Sequence, residues 1–242
     1  KNADLMVGLV KQKSLKENVL GFWFNTADSA QIAGELQFGG INSSKLIGNV
    51  TYYNITSQRD YWRLSLDKIA SDNHVIPFPN NFSKSIVIDS GTTYALLPAE
   101  LAEAINSYTG MTVMEQGLYT IDCTRALSIP PLKFYFAGNT NPLIFEGRQM
   151  VRFVSGGTIH KSICVSIFQK SNVKMKNQTV SIFGALFMRN FLTVFNYDNE
   201  SIGFGRVAGV PSSNTPFSSA LIVISPIYAS SILAFLIPLL VN

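Results

Sequence analysis

The sequence predicts a mostly β protein with short helices, and two observations carry this prediction. Stretches rich in β-branched and other apolar residues alternate with Gly, Asn and Pro turns, and the clearest of them span residues 46–55, 62–69 and 85–88. Only residues 98–108 show a convincing helical pattern. Because the chain has 242 residues and 47% of them are hydrophobic, it is long enough to bury one sizeable core.

The predicted helix begins at Pro98. Proline is favoured in the first turn because it needs no hydrogen bond for its nitrogen and its φ already fits the helix. Glu100 and Glu103 follow, and acidic side chains near the start of a helix interact favourably with its dipole. We therefore expect helix 98–108 to pack behind the loop that precedes it.

That loop follows the predicted strand 85–88 and is the most informative segment of the chain. Its sequence is Asp89-Ser90-Gly91-Thr92-Thr93. A carboxylate at the end of an apolar strand is unfavourable unless donors hydrogen-bond to it, and the glycine turn brings backbone N–H groups and hydroxyls back toward Asp89. Asp-Ser-Gly is also common in ordinary turns, so this loop alone leaves a structural and a catalytic role open.

Five motifs surround this loop in a definite order. They are LVKQ (9–12) with KENVLGFWF (16–24), GELQFGGIN (34–42), YWRL (61–64), DSGTT followed by LLP (89–98), and IFGALFMRNF, VFNY and IGFG (182–205). In this order they resemble the C-terminal lobe of the pepsin-like aspartic proteases, family A1, over about residues 9–208. The resemblance implies one lobe of the bilobal acid-protease β fold.

The resemblance also implies a domain organisation. Residues 1–25 correspond to the end of an N-terminal lobe and the connector, and residues 26–208 to the C-terminal catalytic lobe. Residues 209–242 are left as a spacer and a hydrophobic C-terminal anchor signal. We expect these three segments to behave as distinct parts of the chain.

The same resemblance implies the roles of individual residues. Asp89 is the expected catalytic carboxylate; Ser90 would hydrogen-bond to the other lobe, Gly91 belongs to the catalytic loop, and the Thr92 hydroxyl would orient the outer carboxylate oxygen. Expected to line substrate subsites are Tyr61, Val87 and Thr93. The substrate would be a peptide or protein with bulky apolar side chains at the cut. The mechanism needs no cofactor and no metal.

Two departures from the family pattern bear on these expectations. The family uses two aspartates, one from each lobe, but no second Asp-Ser/Thr-Gly occurs in this sequence. We therefore expect the chain to be inactive alone and to need an N-terminal lobe as its partner. In the late apolar motif, Gly184 is followed by Ala185 where many relatives carry Asp, and we expect little effect from this change.

Cys123 and Cys164 are the only cysteines. An even count without CxxC or histidine spacing indicates one disulfide, with two buried free thiols as the alternative; lobes of the resembled family carry one bridge here. Six Asn-x-Ser/Thr sequences favour the disulfide, because they predict N-glycosylation and passage through the secretory pathway. The acceptors are Asn42, Asn49, Asn54, Asn81, Asn177 and Asn199.

The C-terminal tail predicts membrane attachment. Residues 220–241 are mostly apolar and are preceded by small and polar residues. This is the pattern of a GPI attachment signal, with cleavage expected within 208–214, and it predicts a cell-surface or extracellular protein. A single-span anchor is the alternative, although Ser225-Pro226 interrupts the apolar run and no Lys or Arg follows it. A vacuolar or lysosomal location is a further alternative.

The net charge is +4, but the basic residues are scattered and cluster only at 170–176. This distribution does not favour a nucleic-acid partner. Two alternatives to a protease lobe stay open. One is a non-catalytic binding or inhibitor protein of the same fold, against which the intact Asp89 loop counts. The other is a homodimer of the retroviral-protease type, which the length of the chain disfavours.

Overall fold

The computed structural model describes residues 5–26, 33–57, 60–114, 117–154, 163–175 and 178–210. The strands within them are β1 Val19–Phe24, β2 Gly34–Phe38, β3 Leu46–Asn54, β4 Arg63–Ala70, β5 Val75–Ile76, β6 Ser85–Ile88, β7 Ala95–Leu97, β8 Thr112–Val113, β9 Tyr119–Asp122, β10 Leu132–Phe136, β11 Leu143–Phe145, β12 Val151–Val154, β13 Ile163–Ser166, β14 Phe168–Lys170, β15 Lys174–Met175, β16 Gln178–Thr179, β17 Ser181–Phe183, β18 Phe191–Asn196 and β19 Ser201–Val207. The α-helices are α1 Leu5–Lys11, α2 Ala99–Tyr108, α3 Cys123–Ala126 and α4 Ala185–Met188, and 3-10 turns span Ser43–Lys45 and Gly147–Met150.

These elements confirm the predicted mostly β fold with short helices. The predicted strands 46–55, 62–69 and 85–88 appear as β3, β4 and β6, and the predicted helix 98–108 appears as α2. The helices α1, α3 and α4 were not predicted individually. They span 4 to 7 residues, too few for a helical period to stand out in the sequence.

Two large sheets form the framework. The first has five antiparallel strands in the order β2-β1-β18-β19-β3. The second runs β11-β10-β4-β6-β17-β7-β14. Within it β17 lies between β6 and β7, parallel to β6 and antiparallel to β7. This insertion places β17 directly beneath the loop that joins β6 to β7, which is the loop of Asp89.

A core rich in phenylalanine joins the sheets. Phe183 of β17 stacks on Phe187 of α4 with ring centroids 4.1 Å apart, and Phe134 of β10 meets both rings edge to face. From the five-stranded sheet, Phe204 packs on Phe187 at 6.3 Å. Such edge-to-face and offset contacts add to the stabilisation from apolar burial, and they hold β17 rigidly under the loop.

Helix α2 packs against the end of the second sheet, where it contacts β14, β7 and β5. Its buried face carries Leu101, Ala102, Ile105 and Asn106. The Asn106 amide donates to the carbonyl oxygen of Phe168 in β14 at 2.8 Å. A buried polar group needs such a partner, and this bond links the helix to the strand that runs parallel to β7.

A disulfide joins Cys123 and Cys164 with a Cα–Cα distance of 5.0 Å. Cys123 begins α3, directly after β9, and Cys164 lies in β13, which pairs with β9. The bridge therefore connects neighbouring parts of the sheet β12-β13-β9-β8 and closes a loop of 41 residues. In the chain-entropy model, closing such a loop stabilises the folded protein by about 4 kcal/mol.

The predicted division of the chain at residues 25 and 208 stays a prediction. Apart from Gly209 and Val210, the predicted anchor segment 209–242 lies outside the described residues. Within the ranges that the structure covers, no helix combines the length and apolar character needed to cross a bilayer.

Candidate active site

Asp89 stands at the carboxyl end of β6, where the strand meets its loop. Its backbone N–H donates to the carbonyl oxygen of Phe183 at 3.1 Å, which extends the parallel pairing of β6 and β17 by one residue. The residue is only 5% exposed. The carboxylate is therefore fixed at the end of a central strand and shielded from most solvent.

Both carboxylate oxygens of Asp89 accept a hydrogen bond. The Gly91 backbone N–H donates to Oδ1 at 2.9 Å, and the Thr92 hydroxyl donates to Oδ2 at 2.6 Å. Hydrogen bonds to an ionised acceptor are short and strong, and they satisfy a buried carboxylate that would otherwise destabilise the fold. The loop sequence thus supplies its own donors.

The loop is held from below by the segment that joins β17 to α4. The N–H of Ala185 donates to the Thr92 carbonyl at 2.7 Å, and the N–H of Leu186 donates to the Thr93 carbonyl at 2.9 Å. Gly184 makes this approach possible, because a Cβ there would lie less than 3.0 Å from the Thr92 carbonyl oxygen. The Asp89 loop is therefore anchored at both ends.

A small cleft of about 20 Å³ opens beside Asp89, a volume that fits about one water molecule. Tyr61, Val87 and Ser90 line it, as do four further apolar residues that sequence reasoning did not assign to the site. The full lining is Leu20, Tyr61, Trp62, Val87, Ile88, Asp89, Ser90 and Phe195. Thr93 is exposed and does not line this cleft.

The two residues that follow Tyr61 in the chain are both held by specific contacts. Trp62 packs edge to face on Phe195, with ring centroids 5.1 Å apart. The guanidinium of Arg63 lies 5.2 Å from the Tyr61 ring centroid, while Arg63 Nε donates to Asp60 Oδ1 at 2.9 Å. Sequence reasoning missed this ion pair. The available signal was that Asp60 and Arg63 carry opposite charges three residues apart.

The predicted glycosylation acceptors differ in their surroundings. The Asn42 side chain is engaged, because its amide donates to the Glu35 carboxylate and its Oδ1 accepts from the Ser44 N–H and hydroxyl. By contrast, four acceptors are exposed, namely Asn49, Asn54, Asn81 and Asn199. Asn177 lies outside the described residues. In the same described ranges, no group of three or more His, Cys, Asp or Glu side chains forms a candidate metal site.

Comparisons with known proteins agree with this geometry. The eukaryotic aspartyl protease family matches residues 1–207. The mouse (Mus musculus) cathepsin D is 27% identical over 198 residues, which cover 82% of this chain and 47% of that protein. The human (Homo sapiens) cathepsin D is 26% identical over 200 residues, 83% of this chain and 47% of that protein. The aspartic-type endopeptidase ctsD of Aspergillus fumigatus is 28% identical over 220 residues, 90% of this chain and 43% of that protein.

The chain thus spans less than half the length of these curated relatives. The family match, by contrast, covers most of the chain, from residue 1 through the end of β19. It includes the Asp89 loop, the supporting strand β17 and the cleft. The chain therefore belongs to the eukaryotic aspartyl protease family.

Proposed function

We propose that this chain is the C-terminal half of an aspartic endopeptidase and that it supplies Asp89 as one of two catalytic carboxylates. The second carboxylate would come from an N-terminal lobe of the same protease. The observation that carries the proposal is the Asp89 carboxylate, held by Gly91 and Thr92 at the edge of an apolar cleft. Membership of the protease family supports the reaction class.

The chemistry follows from placing two carboxylates close together. Because two negative charges in one site repel, one carboxyl group keeps a proton while the other is ionised. The ionised group removes a proton from a water molecule, whose oxygen bonds to the carbonyl carbon of the peptide, and the protonated group donates its proton to the carbonyl oxygen. Proton transfer to the amide nitrogen then lets the C–N bond break. One proton is shared by the pair only at acid pH, so acid conditions are expected.

We assign the neighbouring residues supporting roles. Gly91 and Thr92 orient the Asp89 carboxylate, and Ser90, at the mouth of the cleft, would bond to the loop of the other lobe. Tyr61 and Val87 would contact apolar side chains of the peptide beside the cut. Because Thr93 is exposed and off the cleft of this lobe, it would contact only a longer peptide.

We also propose that the protein travels through the secretory pathway and is held at the cell surface by a GPI anchor added within 208–214. The Cys123–Cys164 disulfide supports the oxidising route, and the exposed sequons Asn49, Asn54 and Asn199 are accessible to glycosylation. Phospholipase release of surface protein from intact cells tests the anchor. Surface protein that resists the enzyme points to a single-span anchor, and a vacuolar pool without surface protein rejects both.

The deciding experiment expresses the full reading frame, including the sequence upstream of this chain, and measures peptide cleavage at about pH 4 with and without pepstatin. Asp89→Asn keeps the size of the side chain and should abolish cleavage. Asp67→Asn is the matched control, since Asp67 is an exposed carboxylate paired with Lys84. If cleavage survives Asp89→Asn, or the upstream sequence holds no second Asp-Ser/Thr-Gly, the catalytic proposal fails. The non-catalytic binding or inhibitor role then replaces it.

A further inference from the structure

A groove much larger than the Asp89 cleft runs beside β3 and β19. Its volume is about 690 Å³, and it shares no lining residue with the cleft. Asn49 and Thr51 both line it. These residues are the first and third of the acceptor sequence Asn49-Val50-Thr51, so the chemistry of a modification site and a cavity of small-molecule size coincide here.

The backbone presents Asn49 outside the regular hydrogen-bond ladder. Strand β3 is an outer strand of the five-stranded sheet, and its pairing with β19 passes from Gly205↔Val50 to Arg206↔Ile47. Gly48 and Asn49 are therefore the extra residues of a β-bulge. Gly48 has a φ of +77°, a conformation that glycine adopts readily, and the bulge leaves Asn49 exposed.

The Asn49 side chain is also free to react. It makes no hydrogen bond within the described part of the chain, whereas the Asn42 amide is bonded to Glu35. A transferase has to reach the amide nitrogen and the hydroxyl two residues later. Both Asn49 and Thr51 line the same groove.

The walls of the groove suit a sugar. Ile47 and Ile144 are 49% and 46% exposed and offer apolar surface to the C–H face of a pyranose ring. Among the polar side chains on the same walls, Arg206 is exposed and can donate to its hydroxyl groups. Glu146 and Gln149 also line the groove, and each side chain already accepts a backbone N–H of the other residue in a capping box, which leaves their remaining polar atoms for the sugar. A mixed lining of this kind is typical of small-molecule sites, in which a few polar groups fix the orientation.

We infer that Asn49 carries an N-glycan whose first sugar residues lie in this groove, against the face formed by β3 and β19. The inference depends on the proposed secretory route but not on protease activity. In the transfer, Asn49 Nδ2 bonds to C1 of a sugar on a lipid-linked pyrophosphate donor. The C1–O bond breaks, the lipid pyrophosphate leaves with the bonding electrons, and one amide proton passes to a base of the transferase.

A glycan rooted on this outer strand has a physical purpose. An outer strand presents unpaired backbone groups that can pair with another chain, and exposed apolar side chains such as Ile47 strengthen that tendency. A bulky, solvated glycan rooted beside the strand blocks such pairing. The groove and the edge are thus protected by one modification.

The test uses the full-length protein secreted from a eukaryotic host. Mass spectrometry after enzymatic deglycosylation in ¹⁸O water gives the occupancy of each acceptor. An endoglycosidase that cuts within the first two sugars is then applied to the folded and to the denatured glycoprotein. The matched control is the glycan at Asn199, which is exposed and does not line the groove.

We expect Asn49 to be occupied and its glycan to be cut about tenfold more slowly than the Asn199 glycan in the folded protein, because a packed sugar must first leave the groove. The two rates should become equal after denaturation. Equal rates in the folded protein overturn the placement in the groove. An unmodified Asn49 beside other occupied acceptors overturns the inference and leaves the secretory route standing, whereas a protein without any glycan removes the route itself. Peptide cleavage by the same preparation reports separately on the protease proposal.

Discussion

Gly184 and Thr92 touch through their backbones, and this contact fixes the Asp89 loop. A Cβ on Gly184 would lie less than 3.0 Å from the Thr92 carbonyl oxygen, a distance that real Cβ atoms do not adopt. The same carbonyl accepts the N–H of Ala185 at 2.7 Å, while the Thr92 side chain donates to the Asp89 carboxylate. Thr92 thus links Gly184 and Ala185 on one side to the Asp89 carboxylate on the other.

Gly184→Ala should destabilise the protein strongly. The added methyl group meets backbone atoms of Thr92 and Tyr94, which cannot rotate away as a side chain can, so we expect a loss of about 3 kcal/mol in the free energy of unfolding, at the upper end of overpacking effects. Urea denaturation measures it. Gly8→Ala is the matched control, because nothing lies within 4 Å of a Cβ there, and it should add about 0.5–1 kcal/mol in helix α1. A stable Gly184→Ala protein contradicts the proposed fit.

Thr92→Val should destabilise the protein by about 2 kcal/mol, because it removes the hydroxyl that donates to a buried carboxylate at 2.6 Å. Thr92→Ser keeps the hydroxyl and should cost less than about 1 kcal/mol. In the proposed full-length protease the valine variant should also lose peptide cleavage, while the serine variant retains most of it. Equal behaviour of the two variants would show that the hydroxyl is not what matters at this position.

Local sequence patterns predicted much of this architecture. The Ser85–Ile88 strand and its Asp89 loop were recognisable because an apolar β-branched run ends in a polar glycine turn. Helix α2 was recognisable from Pro98 and the acidic residues after it. The donors to Asp89 were predictable in kind, because backbone N–H groups and hydroxyls of the turn lie within a few residues of the carboxylate. Of the hydroxyls in the loop, the one that donates is that of Thr92, and the backbone donor is the Gly91 N–H.

The rest of the site depends on contacts between distant segments. Leu20 and Phe195 reach the cleft from β1 and β18 of the other sheet, and no local period reveals which strand ends meet in space. The exposure of Thr93 has a similar cause. The Leu186 N–H donates to the Thr93 carbonyl oxygen, and the Thr93 side chain stays outside the cleft. Long-range packing, not propensity, decides these positions.

Tyr53 should make the protein lose stability at alkaline pH. Burial raises the pKa of the Tyr53 hydroxyl from 10.0 to about 12, and the hydroxyl donates to the Asn141 carbonyl at 2.8 Å. Because the folded pKa lies above the unfolded one, its contribution is fully present below pH 10 and is lost as the pH rises toward 12. The pKa shift corresponds to about 2–3 kcal/mol of the free energy of unfolding.

Tyr53→Phe provides the measurement. Near pH 8 it should cost about 1 kcal/mol through the lost hydrogen bond. Between pH 10 and 12 the difference in the free energy of unfolding between wild type and variant should shrink and then reverse. In this range Tyr53 ionises in the unfolded wild type but not in the folded one, which favours unfolding, and the variant has no hydroxyl to ionise. Other tyrosines titrate equally in both proteins and cancel in urea unfolding curves compared pairwise. A difference that is constant with pH contradicts the assignment.

Arg63 and Asp60 should be strongly coupled. The Arg63 side chain is 3% exposed and that of Asp60 is 22% exposed, and the guanidinium makes two bonds to the carboxylate, at 2.9 and 3.3 Å. Losing either partner leaves a charge in a poorly solvated site. A double-mutant cycle with Arg63→Met and Asp60→Asn should therefore give a coupling energy of about 1–3 kcal/mol.

The exposed pair of Lys84 and Asp67 is the control for this cycle. Their side chains are 54% and 47% exposed and lie 3.5 Å apart, so the same cycle with Lys84→Met and Asp67→Asn should give less than about 0.5 kcal/mol. If the two couplings are equal, the Arg63 pair is not held in a dry site. Because Arg63 also lies on the Tyr61 ring, Arg63→Met in the proposed full-length protease should raise the KM for peptides with apolar side chains more than it lowers kcat. A fall in kcat alone would instead indicate that Arg63 acts on the Asp89 loop and not on the wall of the cleft.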